Sequence, residues 1–207
     1  EVYITVDCDP NVQRELSEFF TFYVPGYKFM PAFRNRMWDG KIRLFSQKTK
    51  EIYFGLYPYI RAFAEERGYQ IVTGKDVDVD NKVNKDTVKK FSNSLGQKFT
   101  ARDYQIDAVY HSLKFNRALL LSPTASGKSF IIYALIRYYS HLIKDTPNNR
   151  ILLIVPTTSL VEQMYSDFQS YGWNVKKNCH RLYSGYSNQT DKKVLISTWQ
   201  SLYKLPK

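Results

Sequence analysis

The stretch Ser122-Pro123-Thr124-Ala125-Ser126-Gly127-Lys128-Ser129 holds the residue types needed to seat a polyphosphate. Small residues let backbone N–H groups turn inward around phosphate oxygens, and a helix starting at the loop's end points its positive pole at the same anion. In such a cradle Lys128 neutralises the β- and γ-phosphates, which makes it the candidate catalytic residue, and the Ser129 hydroxyl ligates Mg²⁺. ATP and Mg are therefore the expected cofactors, with Pro123, Thr124, Ala125, Ser126 and Gly127 completing the cradle. Loops of this kind usually begin with glycine, and here Ser122 stands in that place.

Two neighbouring stretches extend this chemistry. Upstream, Arg102, Tyr104 and Gln105 precede the loop, and a glutamine carboxamide can donate to one adenine edge atom while accepting from another. Downstream, Pro156, Thr157 and Thr158 follow the apolar run Ile151 to Val155, with Ser159 and Glu162 at capping-box spacing and Gln163 behind them. Unpaired backbone N–H groups and hydroxyls at the start of a helix can hold a strand phosphate. A third group lies far from both. Between Lys28 and Lys50 the basic residues Lys28, Arg34, Arg36, Lys41, Arg43, Lys48 and Lys50 face one acid, Asp39, and Tyr27, Phe29, Phe33, Trp38 and Phe45 are interleaved. On β-structure alternate residues share a face, so Arg34, Arg36, Trp38, Lys41 and Arg43 are the candidate DNA contacts of a basic, aromatic surface. Such a surface stacks or wedges against bases.

Positioning these groups requires particular elements. Leu119 to Leu121, Ile151 to Val155 and Val194 to Ile196 are short apolar runs of the kind that form strands buried on both faces of a parallel sheet. Between them the spacing of Ile131, Ile132, Leu135, Ile136 and Tyr139 predicts a helix directly after the phosphate loop. Toward the N-terminus, Val2 to Val6 alternates as a strand, and Asp9-Pro10 opens a helix carrying Val12, Leu16, Phe19 and Phe20. Tyr27 to Tyr57 has the texture of short strands, with Trp38-Asp39-Gly40-Lys41 as a hairpin turn. A helix over Tyr59 to Arg67 stopped by Gly68, and a closing strand over Tyr69 to Val72, complete this part. The fold class expected is α/β: a small basic α+β domain over 1–74, a polar connector over 75–98, and a parallel-sheet motor domain of RecA type over 99–207.

The motifs together resemble superfamily 2 helicases. Pro123-Thr124-x-x-Gly127-Lys128-Ser129 is similar to that superfamily's motif I, Arg102-Asp103-Tyr104-Gln105 to the segment preceding it, and Pro156-Thr157-Thr158 to motif Ia. Tyr183-Ser184-Gly185 and Ser197-Thr198-Trp199-Gln200 resemble the later strand-tracking motifs, which adds Ser184, Gly185, Thr198, Trp199 and Gln200 to the DNA-binding candidates. Tyr27-Lys28-Phe29, Phe33-Arg34 and Trp38-Asp39-Gly40-Lys41-Ile42-Arg43-Leu44 resemble the N-terminal domain of a bacteriophage recombination helicase. The resemblance implies an ATP-dependent helicase acting on branched or forked DNA, with fork regression, junction branch migration and D-loop or R-loop unwinding, and hence RNA–DNA hybrids, among its substrates. It further implies recombination and repair in the cytoplasm of a bacterial host, and a monomer. The superfamily also needs an Asp-Glu-x-His element, and no Asp-Glu pair occurs in these 207 residues. The chain is therefore expected to be an N-terminal piece, cut before that element, that hydrolyses almost no ATP alone.

Composition narrows the alternatives. Lys and Arg number 30 against 19 Asp and Glu, a net charge of +11, and aromatics reach 16%, so a polyanion with stackable bases is the leading partner class. Apolar runs are too short to span a bilayer, and the first residues, which begin at Glu1, lack the basic, apolar, small-residue order of a secretory signal. Cys8 and Cys179 lack the spacing of a disulfide framework or a zinc site. Two other readings remain: a non-catalytic nucleic-acid binding module with a vestigial nucleotide pocket, and a P-loop phosphotransferase.

Overall fold

The alternating start of the chain becomes β1 (Tyr3–Thr5), and Pro10 sits in the first turn of α1 (Pro10–Phe19), where its fixed φ suits helix entry. The computed structural model describes residues 2–74, 83–95 and 100–204. They fall into two compact units, Glu1–Val77 and Asp78–Lys207.

In the first unit α1 leads into β2 (Thr21–Tyr23), a 3₁₀ turn at Tyr27–Phe29 and the short helix α2 (Pro31–Arg34). Then come β3 (Lys41–Arg43), β4 (Phe45–Ser46), β5 (Glu51–Tyr53), a second 3₁₀ turn at Phe54–Leu56, and α3 (Tyr57–Glu66). β1, β5 and β4 form one antiparallel sheet with Ile4 opposite Ile52, and β2 pairs with β3 with Phe22 opposite Ile42. Leu16, Phe20, Phe45, Ile52, Ile60 and Phe63 are buried and form the core of this unit.

Three expectations change here. Residues 27–34 are helical rather than strand-like, because Pro25-Gly26 and Pro31 start turns in which a ladder N–H is missing or misdirected. Trp38 to Lys41 is not a hairpin turn: β2 and β3 are joined by the whole of 24–40, and Gly40 lies under the Tyr27 ring. Tyr69 to Val72 forms no strand. After Gly68 (φ +70°) the Tyr69 N–H turns back to the Ala64 carbonyl, which closes α3, and Val72 is 94% exposed.

The second unit begins inside the stretch read as a connector. Residues 75–82 and 96–99 lie outside the described residues, but between them stands α4 (Lys85–Leu95). Asn84 caps it, accepting from the Asp86 N–H at 2.7 Å. Val88 and Leu95, seven residues apart on one face, are buried with Ile106, Val109 and Leu113 of α5 (Asp103–Phe115). The abundant Lys, Asn and Ser of this segment cover only its outer face.

α6 (Lys128–Leu142), β6 (Ile151–Val155), α7 (Thr158–Ser170), α8 (Val175–Asn178), β7 (Cys179–Leu182), β8 (Val194–Thr198) and α9 (Trp199–Tyr203) follow. The strands form a parallel sheet in the order β6-β8-β7, with Val155 opposite Thr198 and Leu182 opposite Ser197. α7 buries Val161, Met164 and Phe168, and the central strand β8 is buried at Val194, Ile196, Ser197 and Thr198. The α/β class is thus as expected.

The strand expected at Leu119 to Leu121 is not formed. Leu120 packs on the core, but Leu119 and Leu121 are 84% and 90% exposed, and no strand among the described residues pairs with this segment. A lone apolar triplet has strand composition without the two neighbours that bury a parallel strand. No helix among the described residues is long and apolar enough to cross a membrane.

Candidate nucleotide and nucleic-acid sites

The stretch Ser122 to Ser129 is a turn that runs directly into α6. Gly127 takes a left-handed conformation (φ +77°) as N-cap of α6, and Ala125 is left-handed too (φ +63°). Two successive reversals of this kind turn N–H groups toward one side, and the first turn of α6 adds N–H groups with no intrahelical acceptor. A clamp from α5 holds the loop. The Tyr104 hydroxyl donates to the Ser126 carbonyl at 2.9 Å, and Gln105 Nε2 donates to the same oxygen at 3.3 Å. Gln105 Oε1 accepts from the Arg102 N–H at 3.0 Å, and Arg102 Nη1 donates to the Tyr104 hydroxyl at 3.1 Å. Glycine at 127 follows from this packing as well as from its φ: a Cβ there would lie 2.4 Å from Gln105 Nε2. Gln105 is buried, and both ends of its carboxamide serve the protein itself.

The two side chains with assigned phosphate and metal chemistry are also engaged internally. Lys128 Nζ donates to the carbonyls of Ser122 (2.9 Å) and Pro123 (2.6 Å), folding the ammonium back over the loop. The Ser129 hydroxyl shares a hydrogen bond with the Tyr171 hydroxyl at 2.9 Å. Ser122 and Ser126 join through their hydroxyls, so the serine in the usual glycine position closes the loop on itself. The residues fit a Mg-nucleotide: small residues line the turn, a cation and a hydroxyl stand at its end, and their two carbonyl contacts and one hydroxyl contact are ones that a phosphate oxygen or metal can replace.

The three strand-tracking candidates come to one edge of the parallel sheet. β6 ends at Pro156, Thr157 and Thr158, β7 at Tyr183, Ser184 and Gly185, and β8 at Thr198, Trp199 and Gln200. Because all three strands run the same way, these ends share the carboxyl edge, where open α/β sheets bind ligands. Two of them use the same device. Thr157 Oγ1 caps α7 by accepting from the Leu160 N–H, and Thr198 Oγ1 caps α9 by accepting from the Ser201 N–H. The capping box expected of Ser159 and Glu162 is therefore absent, because the helix starts two residues earlier. Pro156, Thr158, Gln163, Ser184, Gly185, Trp199 and Gln200 are solvent-exposed, while Thr198 is buried, so its contribution is to cap rather than to touch a strand. Tyr171 lies beyond the far end of α7 from Thr158, which separates the Ser129 hydroxyl from Thr157 and Thr158 by roughly the length of a 13-residue helix, about 20 Å.

Sequence reasoning missed what supports this edge. Glu162 binds Arg181 Nη1 (2.6 Å) and accepts from the Tyr183 hydroxyl (2.7 Å), which pushes the Tyr183 phenol well above its ordinary pKa. The Arg181 guanidinium lies over the rings of Tyr165 (4.2 Å) and Tyr186 (4.6 Å). The cluster ties α7 to β7 and fixes the turn bearing Ser184 and Gly185. No spacing rule links residues about twenty positions apart on a helix and a strand.

In the first unit the basic set divides. Tyr23 and Tyr27 stack at 4.7 Å, Phe33 meets Tyr27 edge-on at 4.8 Å, and Tyr27 lies over Gly40. Phe45 is buried in the core, and Trp38 donates its indole N–H to the Lys41 carbonyl at 2.9 Å. These aromatics are packing groups. Arg43 is ion-paired with Asp39, whose carboxyl is held below the usual range first by that guanidinium and then by the Lys41 N–H. Lys50 pairs with Asp7. Arg34 and Arg36 are exposed, on α2 and on a left-handed residue after it (φ +57°), while Lys41 lies over the Tyr23 ring at 4.9 Å. The structure thus brings Arg34, Arg36 and Trp38 together in one open concavity but places Lys41 and Arg43 on β3.

No group of three or more His, Cys, Asp or Glu among the described residues is arranged to hold a metal. Burial pushes the Cys179 thiol up to about 12, so it is an inert core residue.

Comparison with known proteins gives one family match in each unit. Residues 2–74 match the family described as DNA helicase UvsW, N-terminal, and residues 98–206 match the type III restriction enzyme, res subunit. The chain is 32% identical over 214 residues to the ATP-dependent DNA helicase uvsW of Enterobacteria phage T4, across 99% of this chain and 42% of that protein. Two crystal structures of bacteriophage T4 UvsW superpose with TM-scores of 0.84 and 0.85 at 32% identity, covering 99% of this chain and 74% and 42% of theirs. The chain therefore spans less than half the length of the curated relative.

Proposed function

The chain belongs to the UvsW-like helicase family, and on that premise we propose that it forms the DNA-engaging and ATP-holding part of an ATP-dependent DNA helicase acting on branched DNA. The observation that carries this reading is the clamped loop: Gly127, Lys128 and Ser129 start α6 while Tyr104 and Gln105 hold the turn in place. Magnesium, when bound with nucleotide, supplies charge neutralisation at the phosphates. Lys128 would leave the Ser122 and Pro123 carbonyls to neutralise the phosphates, Ser129 would leave Tyr171 to hold the metal, and the N–H groups from Thr124 to Ser129 would hold oxygens. Arg102, Tyr104 and Gln105 stand where an adenine would meet the clamp, and Gln105, whose Nε2 already donates to the Ser126 and Gly127 carbonyls, would exchange those contacts for ones to the base.

DNA is assigned to two surfaces. Pro156, Thr157, Thr158, Gln163, Ser184, Gly185, Trp199 and Gln200 follow one strand along the carboxyl edge of the sheet, and the cations of the first unit hold duplex phosphates. Fork regression, junction branch migration and opening of D-loops or R-loops, RNA–DNA hybrids included, are the proposed reactions, performed by a monomer in recombination and repair. Since the sequence has no Asp-Glu pair, hydrolysis belongs to a protein that also supplies the acidic element, and these 207 residues alone bind nucleotide with little turnover.

The test is Lys128→Ala in the full-length protein. DNA-stimulated ATP hydrolysis falls by at least about 100-fold while forked-DNA affinity stays within about twofold. Hydrolysis at the wild-type rate in this variant overturns the reading.

A further inference from the structure

Phe29 is 85% exposed and Met37 is 75% exposed, whereas Tyr27, Phe33 and Trp38 of the same segment are partly buried. Residues 26–40 form a knob built on its own interior. Tyr27 stacks on Tyr23, meets Phe33 edge-on and covers Gly40, and the turns are closed by Phe29 N–H to the Gly26 carbonyl (3.0 Å), Arg34 N–H to the Met30 carbonyl (3.1 Å) and Met37 N–H to the Ala32 carbonyl (2.9 Å). Phe29 and Met37 have no place in that interior. Phe29 follows Lys28 in the chain and Met37 lines the same concavity as Arg34 and Arg36, so a ring and a thioether stand exposed beside positive charge.

Charge specifies that surface. From Val24 to Trp38 the sequence contains Lys28, Arg34 and Arg36 and no acidic residue. None of these three cations makes an ion pair among the described residues, and with Met37 they line one open concavity. Asp39 shares the wall but is neutralised by Arg43. A partner must therefore present negative charge densely and apolar area within reach of it. Duplex DNA does so wherever base stacking is interrupted, and Phe and Met are among the residues that enter between base steps.

We propose that the 26–40 knob is a wedge for DNA junctions: Phe29 and Met37 enter between bases where duplex meets single strand, while Lys28, Arg34 and Arg36 hold the flanking phosphates. This rests on the reading of the first unit as DNA-engaging and adds the place, the contact groups and the outcome, namely local unstacking without nucleotide.

The experiment uses the whole chain and a forked DNA with 2-aminopurine at the first paired position. Binding of the wild-type chain raises the fluorescence severalfold as the base unstacks. Phe29→Ala combined with Met37→Ala removes most of that rise while leaving the slope of log affinity against log salt as in the wild type, since neither side chain is charged. Arg34→Ala with Arg36→Ala instead weakens binding and lowers the slope of log affinity against log salt by about 2. A Phe29→Trp chain provides a direct reading, its new indole emission being quenched by the fork and not by blunt duplex. An unchanged 2-aminopurine rise in the Phe29/Met37 variant, equal quenching of the introduced indole by blunt duplex, or wild-type self-association in sedimentation that the Phe29/Met37 variant abolishes would each overturn the wedge. If the salt slope also fails to respond to the arginine variants, the DNA-engaging reading of the first unit falls with it. If the slope responds and the unstacking does not, only the wedge is lost.

Discussion

The two units treat their functional side chains in opposite ways. In the second unit the three side chains with proposed nucleotide chemistry already have partners: Lys128 on the Ser122 and Pro123 carbonyls, Ser129 on Tyr171, and Gln105 on Ser126 and Arg102. In the first, Lys28, Arg34 and Arg36 are exposed and make no ion pair among the described residues. On the proposed reading, ligand binding in the second unit would exchange hydrogen bonds and so depend on geometry, and in the first it would add charge to charge and so depend on salt.

That contrast can be broken at Gly127, where the largest effect is expected. Gly127→Ala places a Cβ 2.4 Å from Gln105 Nε2 at a φ of +77°, and strain of this kind costs about 1–3 kcal/mol. Chemical denaturation should show that loss, and nucleotide affinity should fall by at least about tenfold. Adding Gln105→Ala should restore part of the stability but not the affinity. Normal nucleotide binding by Gly127→Ala would mean that the clamp does not shape the site.

A smaller effect sharpens the idea of exchange. Tyr171→Phe removes the internal partner of the Ser129 hydroxyl, worth about 1 kcal/mol, and should tighten Mg-ATP binding by about fivefold in calorimetry. Mg-free nucleotide should bind as before. Weaker Mg-ATP binding would instead make Tyr171 part of the site.

The smallest effect lies in the first unit. Asp39 has a folded pKa below its ordinary value, because Arg43 and the Lys41 N–H favour the carboxylate. Its contribution to stability is therefore complete above the ordinary aspartate pKa of about 3.9 and is lost as pH falls through the depressed value. Asp39→Asn should flatten the acid limb of the unfolding profile and, by releasing Arg43, strengthen fork binding by less than about threefold. An identical acid limb in the variant would show that the pair contributes nothing.

How much of this was legible in the sequence depended on whether a residue's type was dictated by chemistry or by its neighbours. The loop from Ser122 to Ser129 was readable because a phosphate cradle demands small residues, a lysine and a hydroxyl in that order. The edge candidates came from motif resemblance alone, and it is the parallel order of β6, β8 and β7 that gathers them at one edge. The knob was only half readable. Tyr27, Phe29 and Phe33 look alike in a one-dimensional reading, and only the fold shows that two are packed and one is exposed. The buried face of α4 was hidden by its polar majority, since Val88 and Leu95 are few among Lys and Asn. Leu119 to Leu121 misled for the converse reason: strand composition is local, whereas strand pairing is a property of other segments.

Those leucines set a practical limit on handling the chain. Leu119 and Leu121, together with the half-exposed Leu152 and Ile154 of β6, present bare hydrocarbon to the solvent. Excluded salts such as ammonium sulfate strengthen the sticking of such surfaces, while ordinary salt would release DNA from the contacts proposed for the first unit. Low salt should retain DNA, and moderate chloride without sulfate should keep the free chain dispersed. Turbidity that rises with ammonium sulfate and temperature, and that falls on replacing Leu119 and Leu121 by serine, would mark the upper edge of that window.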